Sequence, residues 1–131
     1  MDENITPQEE TTTEPTVPAD SILVNTIAHM IGPSDDYTYF YTDLIIHINA
    51  AFSRLCQLGV GPSEPFRISG PSEVWSDFLG TDGKMEDVKQ FVYLSVKHDF
   101  DPPTNSFLMD AMEKKIEKLE WLLNSVAEVG Y

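Results

Sequence analysis

Three histidines, one cysteine and two closely spaced aspartates are the side chains of this 131-residue chain best suited to chemistry. A zinc site needs Cys or His ligands paired a few residues apart. His29, His47, His98 and Cys56 each stand alone, without a second ligand at helical spacing. Asp99 and Asp101 flank Phe100. Carboxylate catalysis requires two groups facing one cleft with separated pKa values, whereas aspartate just before a proline pair is ordinarily a turn or capping residue. Ser53 and Ser95 have no base-and-orienter arrangement, and no Gly-x-Ser-x-Gly motif is present. The run Gly59-Val60-Gly61-Pro62 lacks the lysine and the preceding strand of a phosphate-binding loop. The chain is therefore expected to be no enzyme, with no catalytic residue, no metal site and no cofactor.

Those side chains sit on elements that read as helices. Leu23, Ile27, Met30 and Ile31 follow helical spacing behind Asp20 or Ser21, either of which can cap, and Gly32-Pro33 stops the run. After a polar, tyrosine-rich turn at 34–39, a longer helix is expected over 41–58. Its apolar stripe is Tyr41, Leu44, Ile45, Ile48, Ala51, Phe52, Leu55 and Leu58, and Gly59 ends it. The Gly- and Pro-rich stretch 59–70 breaks regular structure, although Phe66-Arg67-Ile68 alternates like a very short strand. Ser72 can cap a short helix that turns Val74, Trp75, Phe78 and Leu79 inward, with Trp75 as a core anchor. A further helix begins at Thr81 or Asp82 and buries Val88, Phe91, Val92, Ser95 and Val96. It must stop before Pro102-Pro103, because a residue preceding proline is pushed out of the helical region. The last helix runs from Thr104 or Asn105 to Ala127, with Leu108, Met112, Ile116, Leu119, Leu123 and Val126 on one face and an Asp110–Lys114 pair outside. It should reach roughly 35 Å and project beyond so small a body. Trp121 lies off its main stripe, either packed on the domain or serving as an interface anchor.

The expected fold is all-α: a bundle of four to five helices with a long C-terminal helix and an irregular central loop. Residues 1–18 stand apart. They carry Asp2, Glu3, Glu9, Glu10 and Glu14, no basic residue and three prolines, which is too little apolar surface to offset ordering entropy. They read as an acidic arm before a helical domain at 19–131. With 41% hydrophobic residues the chain can bury one core. Its 22 acidic residues against 8 basic ones give a charge of -14, which argues against binding nucleic acid or an anionic membrane. Cys56 alone forms no disulfide framework and reads as a small buried hydrophobe. The first residues have neither the basic nor the apolar region of a secretory signal, and no apolar run approaches bilayer-spanning length. The expectation is a soluble protein of a reducing compartment.

Four stretches, taken in order, resemble the head-tail connector (adaptor) family of long-tailed bacteriophages and prophages. They are SILVNTI at 21–27, DLIIHINAAFSRLCQLGVGP at 43–62, WSDFLG at 75–80, and the segment 88–124 with its DFDPP break. The resemblance covers about residues 20 to 125 and leaves out the acidic arm. It implies a structural subunit of the phage neck, about twelve copies of which form a ring under the portal. Such a ring extends the DNA channel without specifically binding DNA, and offers a platform for a stopper or tail-completion protein. The implied location is the virion, after assembly in the host cytoplasm. By the same resemblance the C-terminal segment is the candidate portal contact, with Trp121, Leu122, Asn124, Val126, Val129 and Tyr131 as its residues. The central loop, through Val60, Pro62, Phe66, Arg67 and Ile68, is the candidate contact with a ring neighbour or stopper. Two rivals stand beside this reading, the first of them fitted by charge and small size. One is an acidic mimic of DNA that inhibits a host DNA-binding protein; the other is a phage assembly chaperone.

Overall fold

The computed structural model describes residues 17–30, 40–80 and 84–129, with side chains through residue 125. Five helices and no strand are found among them: α1 (Ile22–Met30), α2 (Tyr41–Gln57), α3 (Trp75–Leu79), α4 (Met85–Phe100) and α5 (Ser106–Val129). The all-α expectation holds. The arm up to residue 16, the turn at 34–39, the Gly32-Pro33 stop and the starting residues Thr81 and Asp82 all lie outside the described residues.

Helix boundaries follow from local chemistry. Ser21 begins α1, its Oγ accepting the Val24 N–H at 3.2 Å. Its backbone also bridges Val74, with the Ile22 N–H donating to the Glu73 carbonyl at 3.0 Å, so the starts of α1 and α3 are stitched together. At the end of α2, the Gly59 N–H donates to the Cys56 carbonyl and the Val60 N–H to the Leu55 carbonyl. Gly59 takes φ 83° to allow this. The pair of bonds is a Schellman cap, closed by apolar contact between the two residues of its longer bond, here Leu55 and Val60, both buried. For α3 the cap is Val74 rather than Ser72: the Asp77 carboxylate reaches back to accept the Val74 N–H at 3.0 Å. Asn105 caps α5, accepting the N–H groups of Phe107 at 2.8 Å and Leu108 at 3.2 Å.

Helix α4 is central and packs against α1, α2 and α5. The core joins Ile22, Leu23 and Ile27 to Leu44, Ile48, Phe52 and Leu55, and then to Val88, Phe91, Val92 and Val96. Leu119 and Leu123 complete it from α5. Beside α2 an aromatic cluster forms around Phe52, whose ring lies 4.7 Å from Phe78, 5.1 Å from Phe66 and 6.3 Å from Trp75. Trp75 is the buried anchor its position suggested.

Three expectations need correction. Phe66-Arg67-Ile68 forms no strand. The side chains do alternate, with Ile68 buried and Arg67 exposed, but the backbone partner is the Asn49 side chain. Asn49 Oδ1 accepts the Ile68 N–H at 2.7 Å, and its Nδ2 donates to the Ile68 carbonyl at 3.1 Å. One amide thus replaces a neighbouring strand. Second, the first turns of α5 are not covered: Leu108 is exposed and Met112 only half-buried, so the buried face begins near Ile116. Third, Cys56 and Ser95 are half-buried rather than buried, and the Cys56 thiol points to the Ser63 carbonyl at 3.6 Å.

Asn49→Ala should therefore destabilise far more than a surface change. It removes two bonds and strands two buried backbone groups, for a loss of about 3 kcal/mol. Urea unfolding measures this, and a loss below about 1 kcal/mol would show that water replaces the amide at little cost.

Candidate functional site

The two candidate surfaces are built differently. Along α5, Phe107, Lys114, Lys118 and Trp121 recur at spacings of seven, four and three, which places them on one outward face. Phe107 is 76% exposed and Trp121 67% exposed. At 24 residues α5 spans about 36 Å, so the two aromatics stand some four turns apart. Trp121 is thus not packed on the domain. Leu122 and Asn124 are half-buried, and Asn124 Nδ2 donates to the Leu58 carbonyl at 3.3 Å, which ties α5 to the end of α2. Val126 and Val129 continue the helical backbone, but their side chains and Tyr131 lie outside the described residues.

The loop residues split. Pro62 and Arg67 are exposed, Phe66 is half-buried, and Val60 and Ile68 are core. Gly61 explains why the loop lies flat on the body. It takes φ +88°, and a Cβ there would fall 2.4 Å from Cε1 of Phe78. Only glycine lets the backbone approach that ring so closely. Below it, Ser69 N–H, Ser69 Oγ and Gly70 N–H all donate to the Glu73 carboxylate. The loop is irregular yet held at Gly61, Ile68 and Glu73.

The titratable groups tie helices together. Between α2, α4 and α5 lies a groove of about 390 Å³ whose walls include Ala50, Arg54, His98, Glu113, Glu117 and Glu120. Arg54 Nε bonds Glu120 at 2.8 Å, and this bond raises the guanidinium pKa. His98 Nδ1 lies 3.0 Å from Asp99, and Nε2 lies 2.9 Å from Glu113. Both ring nitrogens face carboxylates, so the form that donates twice is favoured. The Glu113 bond first and the Asp99 bond second raise the His98 pKa, against a smaller opposing effect of burial. Asp101 turns away and pairs with Lys97 at 3.2 Å. The two aspartates therefore do not face one cleft; each serves a local ion pair. Of the other histidines, His29 stacks on Tyr93 at 4.0 Å, and His47 meets the Phe100 ring edge-on at 6.0 Å.

The sign of the His98 effect follows from the raised pKa. The imidazolium contributes its full stabilisation below the unfolded-state value near 6.5, and loses it as pH rises through the higher folded value. The melting-temperature gap between the native chain and His98→Ala should narrow as pH goes from about 6 to about 9. A gap that is constant across that range would mean that the charge on His98 does not hold α4 to α5.

Spacing alone does not single out Asn49, Arg54 or Phe107. Asn49 sits on an apolar stripe as one polar residue, which is the only trace its role leaves. The Arg54–Glu120 pair joins residues 66 positions apart and has no local signature. Phe107 stands just inside a helix start, off the stripe. Chemically, the arrangement holds helices in register and presents Phe107 and Trp121 of α5 and a shaped loop to solvent.

A family model described as phage connector protein matches residues 23–130. Neither the curated proteins nor the solved structures give a significant match to the chain.

Proposed function

Because the chain belongs to the phage connector protein family, we propose that it is a head-tail connector (adaptor) subunit that rings the channel under the portal of a long-tailed phage. Family membership makes it a structural connector and a component of the virion, associated with other virion proteins. The finer reading is a closed ring of about twelve copies that extends the DNA channel and receives a stopper or tail-completion protein. The portal is met by the C-terminal part of α5 around Trp121, and the loop at 59–70 meets a ring neighbour or the stopper. The observation that carries this is the uncovered aromatic face of α5, since exposed Phe107 and Trp121 gain most when a partner buries them. A charge of -14 supports a channel role, because a strongly acidic subunit repels passing phosphates. Among the described residues no helix is long and apolar enough to cross a membrane.

A DNA mimic needs carboxylates displayed in a free row. Here Glu73, Asp77, Asp101, Asp110, Glu113 and Glu120 are engaged in bonds within the chain, which weighs against that reading. Mass spectrometry of purified particles separates the remaining rivals. The connector is retained in the finished virion at a fixed ratio to the portal, whereas an assembly chaperone or a host-factor inhibitor is absent from it.

A further inference from the structure

The groove between α2, α4 and α5 has a counterpart across the α4–α5 pair, a hollow of about 400 Å³ between the end of α1, the middle of α4 and α5. On α4, Ser95 lines the groove and Lys97 the hollow; on α5, Glu117 lines the groove and Lys115 the hollow. Two residues correspond to about 200° around an α-helix, so the two sites lie on opposite sides of both helices. The groove carries Asp99, Glu113, Glu117 and Glu120, whereas the rim of the hollow carries His29, Lys97 and Lys115. We propose that copies of this chain pack side by side, with the lysine flank of one seated in the acidic groove of the next, Lys115 against Glu117 and Lys97 against Asp99. The contact is that of the ring proposed above and rests on that reading.

Charge selects this pairing of faces. With 22 acidic residues against 8 basic ones, two copies repel each other over most of their surfaces, and a lysine flank against an acidic wall is a pairing that attracts. Within the chain, His98 takes up Asp99 and Glu113, and Arg54 takes up Glu120. Glu117 and Lys115 are both exposed and have no ion pair or hydrogen bond among the described residues. Lys97 spends two of its three N–H donors on Asp101, and Asp99 binds His98 through one oxygen only.

Shape agrees with charge. The groove is floored by Ala50, Ala51, Ser95 and Ile116, all small or apolar. A lysine stem can lie along such a floor while its ammonium reaches the carboxylates at the edge.

The register fits a ring. Cyclic symmetry joins two different faces on opposite sides of a subunit and relates copies by rotation without rise, so contacting groups must stand at one level. Lys115 and Glu117 are offset by about 3 Å along α5, and Lys97 and Asp99 by about 3 Å along α4. His98 near the end of α4 bonds Glu113 near the start of α5, so the two helices run in opposite directions and the offsets cancel.

Zero-length carbodiimide cross-linking of an equal mixture of light and heavy full-length chain tests this, both for the chain alone at high concentration and with the portal ring. Lys115–Glu117 and Lys97–Asp99 links are expected in mixed-isotope pairs. The Asp110–Lys114 pair, 3.1 Å apart within one chain, should give single-isotope links and serves as the control. The control link without mixed-isotope links at the two proposed pairs, in both samples, overturns the proposal. Lys115→Glu should lower the mixed Lys97–Asp99 link about tenfold, and Lys115→Glu/Glu117→Lys should restore it. A yield that the charge swap does not restore would also overturn the proposal. Added density beneath the portal without these links overturns this contact alone; links beside bare portal rings support the contact and overturn the portal reading alone.

Discussion

Phe52→Ala is expected to cost about 4 kcal/mol of folding stability, which is a large part of what a domain of this size possesses. Phe52 is fully buried on α2 and is the one ring in contact with Phe66 of the central loop and with both Trp75 and Phe78 of α3. Removing it opens a cavity that backbone movement cannot easily close. Phe78 is held under Gly61, and Ile68 is tied to Asn49. The damage should reach the loop, with faster amide exchange at 66–70 in the variant than in the native chain. A loss under about 1.5 kcal/mol would mean that the loop collapses into the space and is not a firmly held platform.

The second large effect is on association. Trp121→Ala should weaken binding to the portal by about 100-fold, or about 3 kcal/mol. Because Trp121 is 67% exposed and contributes nothing to the core, the melting temperature should stay within about a degree of the native value. Trp121→Phe should recover part of the affinity, since a smaller aromatic still offers part of the apolar area to be buried. Undiminished binding by the alanine variant, at unchanged stability, would move the portal contact away from this face of α5, and Phe107 would be the next residue to change. The stability control matters: a variant that binds poorly because it unfolds says nothing about the surface.

Much of this architecture was legible in the residues. The α2 stripe, the glycine at its end and the proline pair after α4 are local signals, and local signals survive folding. The Trp75 anchor was legible for the same reason, since a tryptophan between valine and phenylalanine has few other uses. What escaped was non-local. Asn49 and Ile68 are 19 residues apart, and nothing in either neighbourhood announces that one amide will stand in for a strand. The uncovered start of α5 escaped because helical periodicity reports which positions share a face, not how far the neighbouring helices extend to cover it. Leu108 belongs to the apolar stripe and still faces solvent. The candidate surfaces divided along the same line. The offset of Trp121 on the helix left packing and exposure both open, and the burial of Val60 and Ile68 within the loop depends on the Schellman cap and on Asn49.

The central claim is that this chain forms a ring beneath the portal, and the most direct measurement images it there. Purified protein would be mixed with the portal ring encoded by the same phage and examined by negative-stain electron microscopy. Added ring-shaped density beneath the portal, lost when Trp121→Ala is used at the same concentration, is the result expected. Portal rings that remain bare at high concentrations of folded protein would contradict the account, and the connector would then have to join the virion through another component.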